Sequence, residues 1–177
     1  MSEDAFESEP EEVAEPDPLT DALASCYSHL ARREHSVAEM RTRLERAGFD
    51  AQTIEQALAT VIEQGYLSDE RYARLLAEDR RELDGWGVER IRDRMQRAGI
   101  DPSLIEVTLA PFDVTSERDA ALALLRRRLP TPPTNASERQ RAFALLMRQG
   151  FESEVAYDAV REHAGGRRGG DELELAS

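Results

Sequence analysis

Apolar positions recur along this chain three and four residues apart in three successive stretches, each of which ends at a glycine. The stripes comprise Val37, Met40 and Leu44, then Val88, Ile91 and Met95, then Ala142, Phe143 and Leu146. This spacing places apolar side chains on one face of a helix. The alternation typical of strands is not sustained anywhere in the sequence. The pattern therefore predicts an all-α fold.

The glycines that end the stripes, Gly48, Gly99 and Gly150, are 51 residues apart in both steps. Around them the segments LERAGFDAQTIEQAL, MQRAGIDPSLIEVTL and LMRQGFESEVAYDAV superimpose without gaps. Each segment has a helix end, the glycine, an apolar residue, an acidic residue and a new helical stripe. Because glycine takes the left-handed conformation without a Cβ penalty, we predict that these three glycines are structural turns between helices.

Helix-start signals agree with the repeat. Asp50 and Asp101 stand where the third helix of the first and second copies begins, and aspartate is a favoured N-cap. Ser36 with Glu39 has the spacing of a capping box, and Ser137 is the predicted cap in the third copy.

A further helix precedes each stripe, at about 21–33, 69–83 and 117–129, so each copy is predicted to contain three helices. The predicted organisation is an acidic tail at 1–20, three-helix units at 21–65, 66–114 and 115–164, and a C-terminal tail at 165–177. Both tails are predicted to be disordered because they offer little apolar surface to bury. Since each unit is small, we expect neighbouring units to share apolar surface in an elongated, curved array.

The formal net charge of -13 comes largely from the first twenty residues, which hold eight carboxylates and no basic side chain. All 23 basic residues of the chain are arginines. No segment reaches the roughly 18 apolar residues of a membrane span, and an acidic N-terminus has the wrong sign for a signal peptide. We therefore expect a cytoplasmic protein without membrane contact. The one cysteine, Cys26, permits no internal disulfide and is predicted to lie in the core.

No motif for catalysis or cofactor binding stands out. The three histidines, His29, His35 and His163, lack metal-ligand spacing, and no phosphate-binding loop follows a strand. We assign no catalytic, cofactor-binding or metal-binding residue. The expectation is a monomeric protein that is not an enzyme and needs no cofactor.

The segment from Gly65 to Ile100 mixes aromatic residues with arginines, as protein interfaces and nucleic-acid surfaces do. The candidate partner-binding residues are Arg71, Arg74, Arg80, Arg81, Trp86, Arg90, Arg94 and Arg97. About half of such residues can be purely structural, because cations near a helix C-terminus also satisfy the helix dipole. Trp86, between two glycines, fits either a plug in a hinge or an exposed anchor, and the sequence leaves both interpretations open.

Four segments, LARREHSVAEMRTRL, GYLSDERYARLLAEDR, GWGVERIRDRMQRAGI and RQGF, resemble in order and spacing successive signatures of the bacterial RecX regulatory proteins. Together they span residues 21–163. The resemblance implies a modulator of RecA, the recombinase that coats single-stranded DNA in DNA repair, recombination and the SOS response. It implies binding along the RecA filament and inhibition of strand exchange and ATP hydrolysis, the hydrolysis being RecA's own.

The resemblance also carries particular positions. The family's tyrosine-leucine turn and following helix fall on Tyr66, Leu67, Asp69, Arg71, Tyr72 and Ala73, and its basic-glycine element falls on Gly85, Gly87, Arg90 and Ile91. The sequence departs from the family at Asp84 and Gln149, where relatives usually carry basic residues. Together with the acidic net charge, these changes predict weak direct binding to duplex DNA unless the arginines cluster on one face. A direct nucleic-acid-binding helical module is the alternative hypothesis, and a generic helical scaffold is the third.

Overall fold

The computed structural model describes residues 17–165, and within this range the chain forms nine α-helices and no strand. The helices are α1 (Pro18–Leu30), α2 (Val37–Ala47), α3 (Ala51–Glu63), α4 (Asp69–Asp79), α5 (Val88–Arg97), α6 (Pro102–Leu109), α7 (Val114–Arg128), α8 (Ala136–Gln149) and α9 (Ser153–Gly165). The all-α fold of three tandem three-helix units is confirmed. The elongated, curved shape stays a prediction. Most of the two predicted tails lies outside the described residues.

Side-chain caps fix most of the helix starts. The Asp50 carboxylate accepts hydrogen bonds from the backbone N–H groups of Gln52 and Thr53 at 3.0 and 3.1 Å, as predicted. Asp101 accepts from the Ser103 N–H at 2.8 Å at the start of α6. These bonds satisfy amide donors that have no partner inside the helix.

Two predicted caps differ in detail. Ser36 Oγ accepts from the Glu39 N–H at 3.0 Å, but the Glu39 carboxylate accepts from arginines instead of completing a capping box. The prediction for Ser137 is wrong, because Asn135 caps α8: its side-chain oxygen accepts a hydrogen bond from the Glu138 N–H at 2.9 Å. Asparagine is as good a cap as serine, and its position lets α8 begin two residues earlier.

Two other boundaries correct the sequence analysis. Helix α1 begins at Pro18, with Asp17 as its cap, so residues 18–20 are helical and do not belong to the predicted tail. Regular α-helix ends at Asp79 in α4, four residues before the predicted end. A π-helical turn, Arg80–Asp84, follows α4 and leads into Gly85 at φ +68°.

Each unit contains its own buried apolar cluster, so the expectation of apolar surface shared between units is wrong for the buried cores. The largest buried side chains include Met40, Leu44 and Leu58 in unit 1, Ile91, Met95 and Ile105 in unit 2, and Leu125, Leu146 and Phe151 in unit 3. Leu67, which falls in unit 2 by the predicted boundary, packs in the unit 1 cluster. Cys26 is fully buried, as predicted. The units meet outside these clusters, through polar contacts and close approaches at glycines.

Candidate functional site

The two junctions between units use equivalent contacts. At the first junction, Ser36 Oγ donates a hydrogen bond to the Ala98 carbonyl at 2.6 Å. At the second, the Gly87 N–H donates to the Gln149 carbonyl at 2.8 Å. Each donor is the N-cap of a middle helix, and each acceptor precedes the turn glycine of the next unit. The middle helix of one unit therefore docks with its N-terminus on the glycine turn of the following unit.

A carboxylate from the next unit also caps each docked helix. The Val37 N–H donates to Asp69 Oδ1 at 2.9 Å, and the Val88 N–H donates to Glu117 Oε2 at 3.1 Å. The first amides of a helix lack internal partners, and a negative charge there is favourable for the helix dipole. Burial raises the pKa of Asp69. The first helix of each following unit thus completes the middle helix of the unit before it.

The turn glycines have a second function at the junctions. All three have positive φ, at +91° for Gly48, +74° for Gly99 and +85° for Gly150. A Cβ atom on Gly99 would lie 2.6 Å from the Ala38 Cβ, and one on Gly150 would overlap Arg90 and lie 2.6 Å from its backbone nitrogen. A Cβ on Gly48 would meet nothing within 4 Å. Gly99 and Gly150 therefore allow close contact between units, whereas Gly48 serves its own turn.

Glu39 is the polar centre of the first junction. Its Oε1 accepts from Arg94 at 3.0 Å and from the Tyr72 hydroxyl at 3.2 Å, and its Oε2 accepts from Arg33 at 3.1 Å. The His35 Nδ1 lies 3.2 Å from the same Oε2. Burial alone would raise the pKa of Glu39, but the hydrogen bonds from Arg94 and Arg33 outweigh it and lower the pKa to about 2. The carboxylate is therefore ionised and joins α2 to α4 and α5.

Arg81 is the corresponding centre of the second junction. Its side chain is mostly buried and forms an ion pair with Glu117 of unit 3. It also donates to the Trp86 carbonyl at 3.0 Å, and its guanidinium carbon lies 4.7 Å from the Phe112 ring centroid and 5.8 Å from that of Phe151. Burial lowers the pKa of Arg81 to about 10, so the group stays cationic near neutral pH. Arg81 joins units 2 and 3.

Trp86 lies beside this centre, half-buried against the unit 2 core. The guanidinium carbons of Arg90 and Arg80 lie 4.2 and 5.1 Å from its ring centroid. Arg90 donates to Gln149 Oε1 at 2.7 Å, and Arg80 donates to Asp84 Oδ2 at 2.6 Å. We call Arg80, Trp86 and Arg90 the Trp86 cluster. Asp84 and Gln149 each hold an arginine of this cluster in place.

The eight predicted contact residues are distributed over several places. Arg71 and Arg94 lie at the first junction, Arg80, Arg81, Trp86 and Arg90 lie at the second, and Arg74 and Arg97 are exposed. Arg71 bonds to the Glu34 carboxylate at 2.9 Å and to the carbonyls of Gly65 and Tyr66 at 2.9 and 2.8 Å. These bonds use all three of its nitrogens, so Arg71 has a structural role.

A groove that the sequence pattern did not predict lies between α2 and the end of α5, with a volume of about 420 Å³. We call it the arginine groove. Its lining includes four arginines against one glutamate: Arg33, Arg43, Arg46, Arg97 and Glu39. The three-residue spacing of Arg43 and Arg46 on α2 was a visible signal. Their convergence with Arg97 depends on docking of the Gly99 turn against α2, which no local pattern shows.

Within residues 17–165, no group of three or more histidine, cysteine, aspartate or glutamate side chains has an arrangement that could hold a metal ion. Over the same range, no helix has both the length and the apolar character needed to cross a membrane. The fold and the junctions define an all-helical tandem-repeat protein whose most buried ion pairs lie where units meet.

Comparison with known proteins gives the family. Residues 22–60, 68–109 and 116–160 match the first, second and third three-helix domains of RecX. The chain is 37% identical over 142 residues to the regulatory protein RecX of Deinococcus radiodurans, covering 80% of this chain and 68% of that protein. It is 35% identical over 133 residues to the protein of the same name from Leptothrix cholodnii, covering 75% and 83%. This chain belongs to the RecX family, which confirms the resemblance drawn from its four segments.

Solved structures agree with the fold. The crystal structure of RecX from Lactobacillus salivarius superimposes with a TM-score of 0.72 at 15% identity, covering 83% of this chain and 97% of that one. A second crystal structure, of a regulatory protein RecX, gives a TM-score of 0.70 at 21% identity, covering 88% and 81%. At these identities the likeness concerns the three-unit fold alone.

Proposed function

We propose that this chain is a non-catalytic regulator that binds the RecA filament on single-stranded DNA and mainly inhibits its recombinase and ATPase activities. In this proposal the protein acts in the cytoplasm, in DNA repair, recombination and the SOS response. Membership of the RecX family, whose relatives are named regulatory proteins, supports this proposal. We further propose that the Trp86 cluster is the centre of the contact with the filament.

The preorganisation of the Trp86 cluster is the observation that carries this assignment. Tryptophan and arginine are the side chains most enriched in interface hot spots. Ordering such side chains on binding costs roughly 0.5–1.5 kcal/mol each. Here Arg90 is already held by Gln149, and Arg80 by Asp84, so part of this cost is met in the free protein. The ring keeps an accessible portion for a partner because it is only half-buried.

Three units in a fixed head-to-tail order would also let the chain contact more than one filament subunit. The junction hydrogen bonds and the turn glycines limit how far one unit moves against the next. Several weak contacts made together give avidity, which exceeds the affinity of any single contact by orders of magnitude when the geometry matches. A large apolar patch is then unnecessary for tight binding.

Co-sedimentation with RecA filaments assembled on single-stranded DNA tests the proposal, with naked DNA as the control. We expect wild-type protein to pellet with the filaments and to lower RecA ATP hydrolysis. Arg90→Glu should weaken co-sedimentation about tenfold, the equivalent of one hot-spot contact. The matched control is Arg161→Glu, because Arg161 is an exposed arginine of α9 paired only locally, with Asp158 at 3.2 Å. Equal effects of the two substitutions, or no pelleting of the wild type, would refute the assignment.

Direct binding to nucleic acid is the second candidate, and the arginine groove is the observation in its favour. Arginines that neutralise phosphates release counterions, so the logarithm of affinity falls linearly with the logarithm of salt concentration. Binding to naked DNA that falls steeply with salt and needs no RecA would favour this candidate. The formal net charge of -13 opposes it, because like charge repels phosphates at long range.

A further inference from the structure

The arginine groove combines positive charge with unused hydrogen-bond donors. Arg33 is paired with Glu39 at 3.1 Å, and Arg97 with Asp93 at 3.4 Å. Neither Arg43 nor Arg46 forms an ion pair with a carboxylate of residues 17–165. The one carboxylate that lines the groove, Glu39, has both oxygens engaged by other donors. The groove therefore presents guanidinium groups that lack an anionic partner within the described fold.

The local electrostatics show the same excess of positive charge. Burial lowers the pKa of His29, and the nearby Arg43, Arg32 and Arg33 lower it further. His35 is affected in the same way by burial and by Arg33. Arginine is well suited to carboxylates, since its planar fork can bind both oxygens at once. The expected occupant is an acidic segment.

We propose that the arginine groove is the docking site of the chain's own acidic segment, residues 3–15, whose carboxylates pair with Arg43 and Arg46. Residues 1–16 hold seven carboxylates and no basic side chain. They are joined directly to Asp17, the cap of α1. Charge complementarity and tethering together favour this occupant over a separate molecule.

The acidic segment is long enough to reach the arginine groove from the start of α1. Helix α1 has 13 residues and so spans about 20 Å, and its far end, near His29 and Arg33, lies beside the groove. Sixteen residues of chain extend to about 50 Å at most, more than twice that distance. A tether of this length holds its ligand at an effective concentration on the order of millimolar. Weak ion pairs are then enough to keep the groove occupied at low salt.

The consequence is a self-occluding surface. Docking of the acidic segment neutralises the groove and competes with any polyanion that approaches it. This inference does not depend on binding to RecA, and its experiment contains no RecA, so its failure and the failure of the proposed function are distinguishable. Because ionic screening shortens the range of exposed charges to about 10 Å at 0.1 M salt, docking should weaken as salt rises.

Paramagnetic relaxation enhancement on the full-length chain tests the docking. Cys26 is buried and is replaced by alanine, and Ser8→Cys then carries a nitroxide spin label in the acidic segment. At low salt we expect the amide signals of Thr42 and Gly99, which line the groove, to lose about half or more of their intensity, as a largely occupied tethered site requires. The loss should disappear at 1 M salt. Undiminished signals at low salt would overturn the proposal.

Charge-reversal variants supply the matched comparison. Arg43→Glu with Arg46→Glu should abolish the signal loss at Thr42 and Gly99. The control reverses Arg139 and Arg161, which line a different groove between α8 and α9, and should leave the loss unchanged. Equal effects of the two double variants would show that docking follows net charge alone and would overturn the proposed site.

A binding measurement separates the acidic segment from nucleic acid as the occupant. Fluorescein-labelled oligo(dT) is titrated with the wild type and with a variant in which Glu7, Glu9, Glu11 and Glu12 are all glutamine. We expect the variant to bind about tenfold tighter at low salt, since it lacks the tethered competitor. Equal affinity for the two proteins would mean that the groove is open to DNA in the native chain, and the proposal would fall.

Discussion

Adding one methyl group at Gly48 and at Gly150 separates the two functions of the turn glycines. Both residues have positive φ, at +91° and +85°, so alanine is strained to a similar degree at each. Only at Gly150 would the new Cβ meet the neighbouring unit, overlapping Arg90 and lying 2.6 Å from its backbone nitrogen. The difference between the two variants therefore measures the junction contact, because the turn strain cancels.

The expected magnitudes follow from these distances. Left-handed backbone costs a residue with a Cβ about 1–2 kcal/mol, which is the whole expected effect at Gly48. At Gly150 the overlap adds about 1–3 kcal/mol, since the obstacle is backbone and cannot move aside as a flexible side chain does. It also disturbs the Glu89 N–H to Gly150 carbonyl bond of 3.2 Å. We expect Gly150→Ala to be less stable than Gly48→Ala by about 2 kcal/mol.

Urea unfolding followed by circular dichroism measures both free energies. The one tryptophan, Trp86, lies at the second junction, so its fluorescence should change in folded Gly150→Ala and stay unchanged in Gly48→Ala. Gly87→Ala is a third variant, because φ there is -76° and its Cβ would meet the Gly150 carbonyl without turn strain. If Gly48→Ala and Gly150→Ala unfold at the same urea concentration, the proposed contact between units does not contribute to stability.

Three further substitutions test the junctions. Glu39→Gln should make the stability of the fold less sensitive to acid. The pKa of Glu39 in the folded protein is about 2, below the ordinary value of 4.5, so its contribution to stability is present above pH 4.5 and is lost as the pH falls towards 2. Thermal melts between pH 6 and pH 2 measure this difference. Arg81→Met should lower the free energy of unfolding by about 3–5 kcal/mol, because it leaves Glu117 buried without its partner, and urea titration measures this. Trp86→Ala should lower stability by about 1–2 kcal/mol and weaken filament co-sedimentation about tenfold.

Each of these has a contrary outcome. An acid transition in Glu39→Gln that matches the wild type would mean that another carboxylate governs it. For Arg81, the double variant Arg81→Met with Glu117→Leu should recover most of the loss, since replacing a buried pair by apolar residues is often neutral. If the double variant is as unstable as Arg81→Met alone, the unpaired Glu117 is not the cause of the lost stability. Trp86→Ala that loses stability but keeps full filament binding would make Trp86 a plug only.

Local signals determined the helices and the repeat. Apolar spacing, aspartate caps and turn glycines act within a few residues, so they identified the starts of α2, α3 and α6 and the ends of α2 and α5 to within a residue or two. The cap of α8 was predicted wrongly because serine and asparagine are equally good caps, and only the backbone path places Asn135 at that position. The family could be recognised for the same reason, since its signatures are short segments in a fixed order.

The roles of the arginines could not be read in this way. Arg94 binds Glu39 across 55 positions of sequence, and Arg90 binds Gln149 across 59. Such pairs exist only after one unit has docked on the next, and no periodicity within a unit encodes them. For that reason Arg81, a candidate contact residue, is mostly buried, whereas Arg43 and Arg46, which the sequence did not single out, line a groove.

The sequence by itself thus determined an all-helical chain of three repeated units, their turns and their family, because each of these depends on interactions between residues close in sequence. The tertiary structure alone decided which glycines are also contact points, which arginines join units and which stay exposed. The physical reason is that a buried charge or a close backbone contact is defined by its neighbours in space, and here those neighbours come from the next unit.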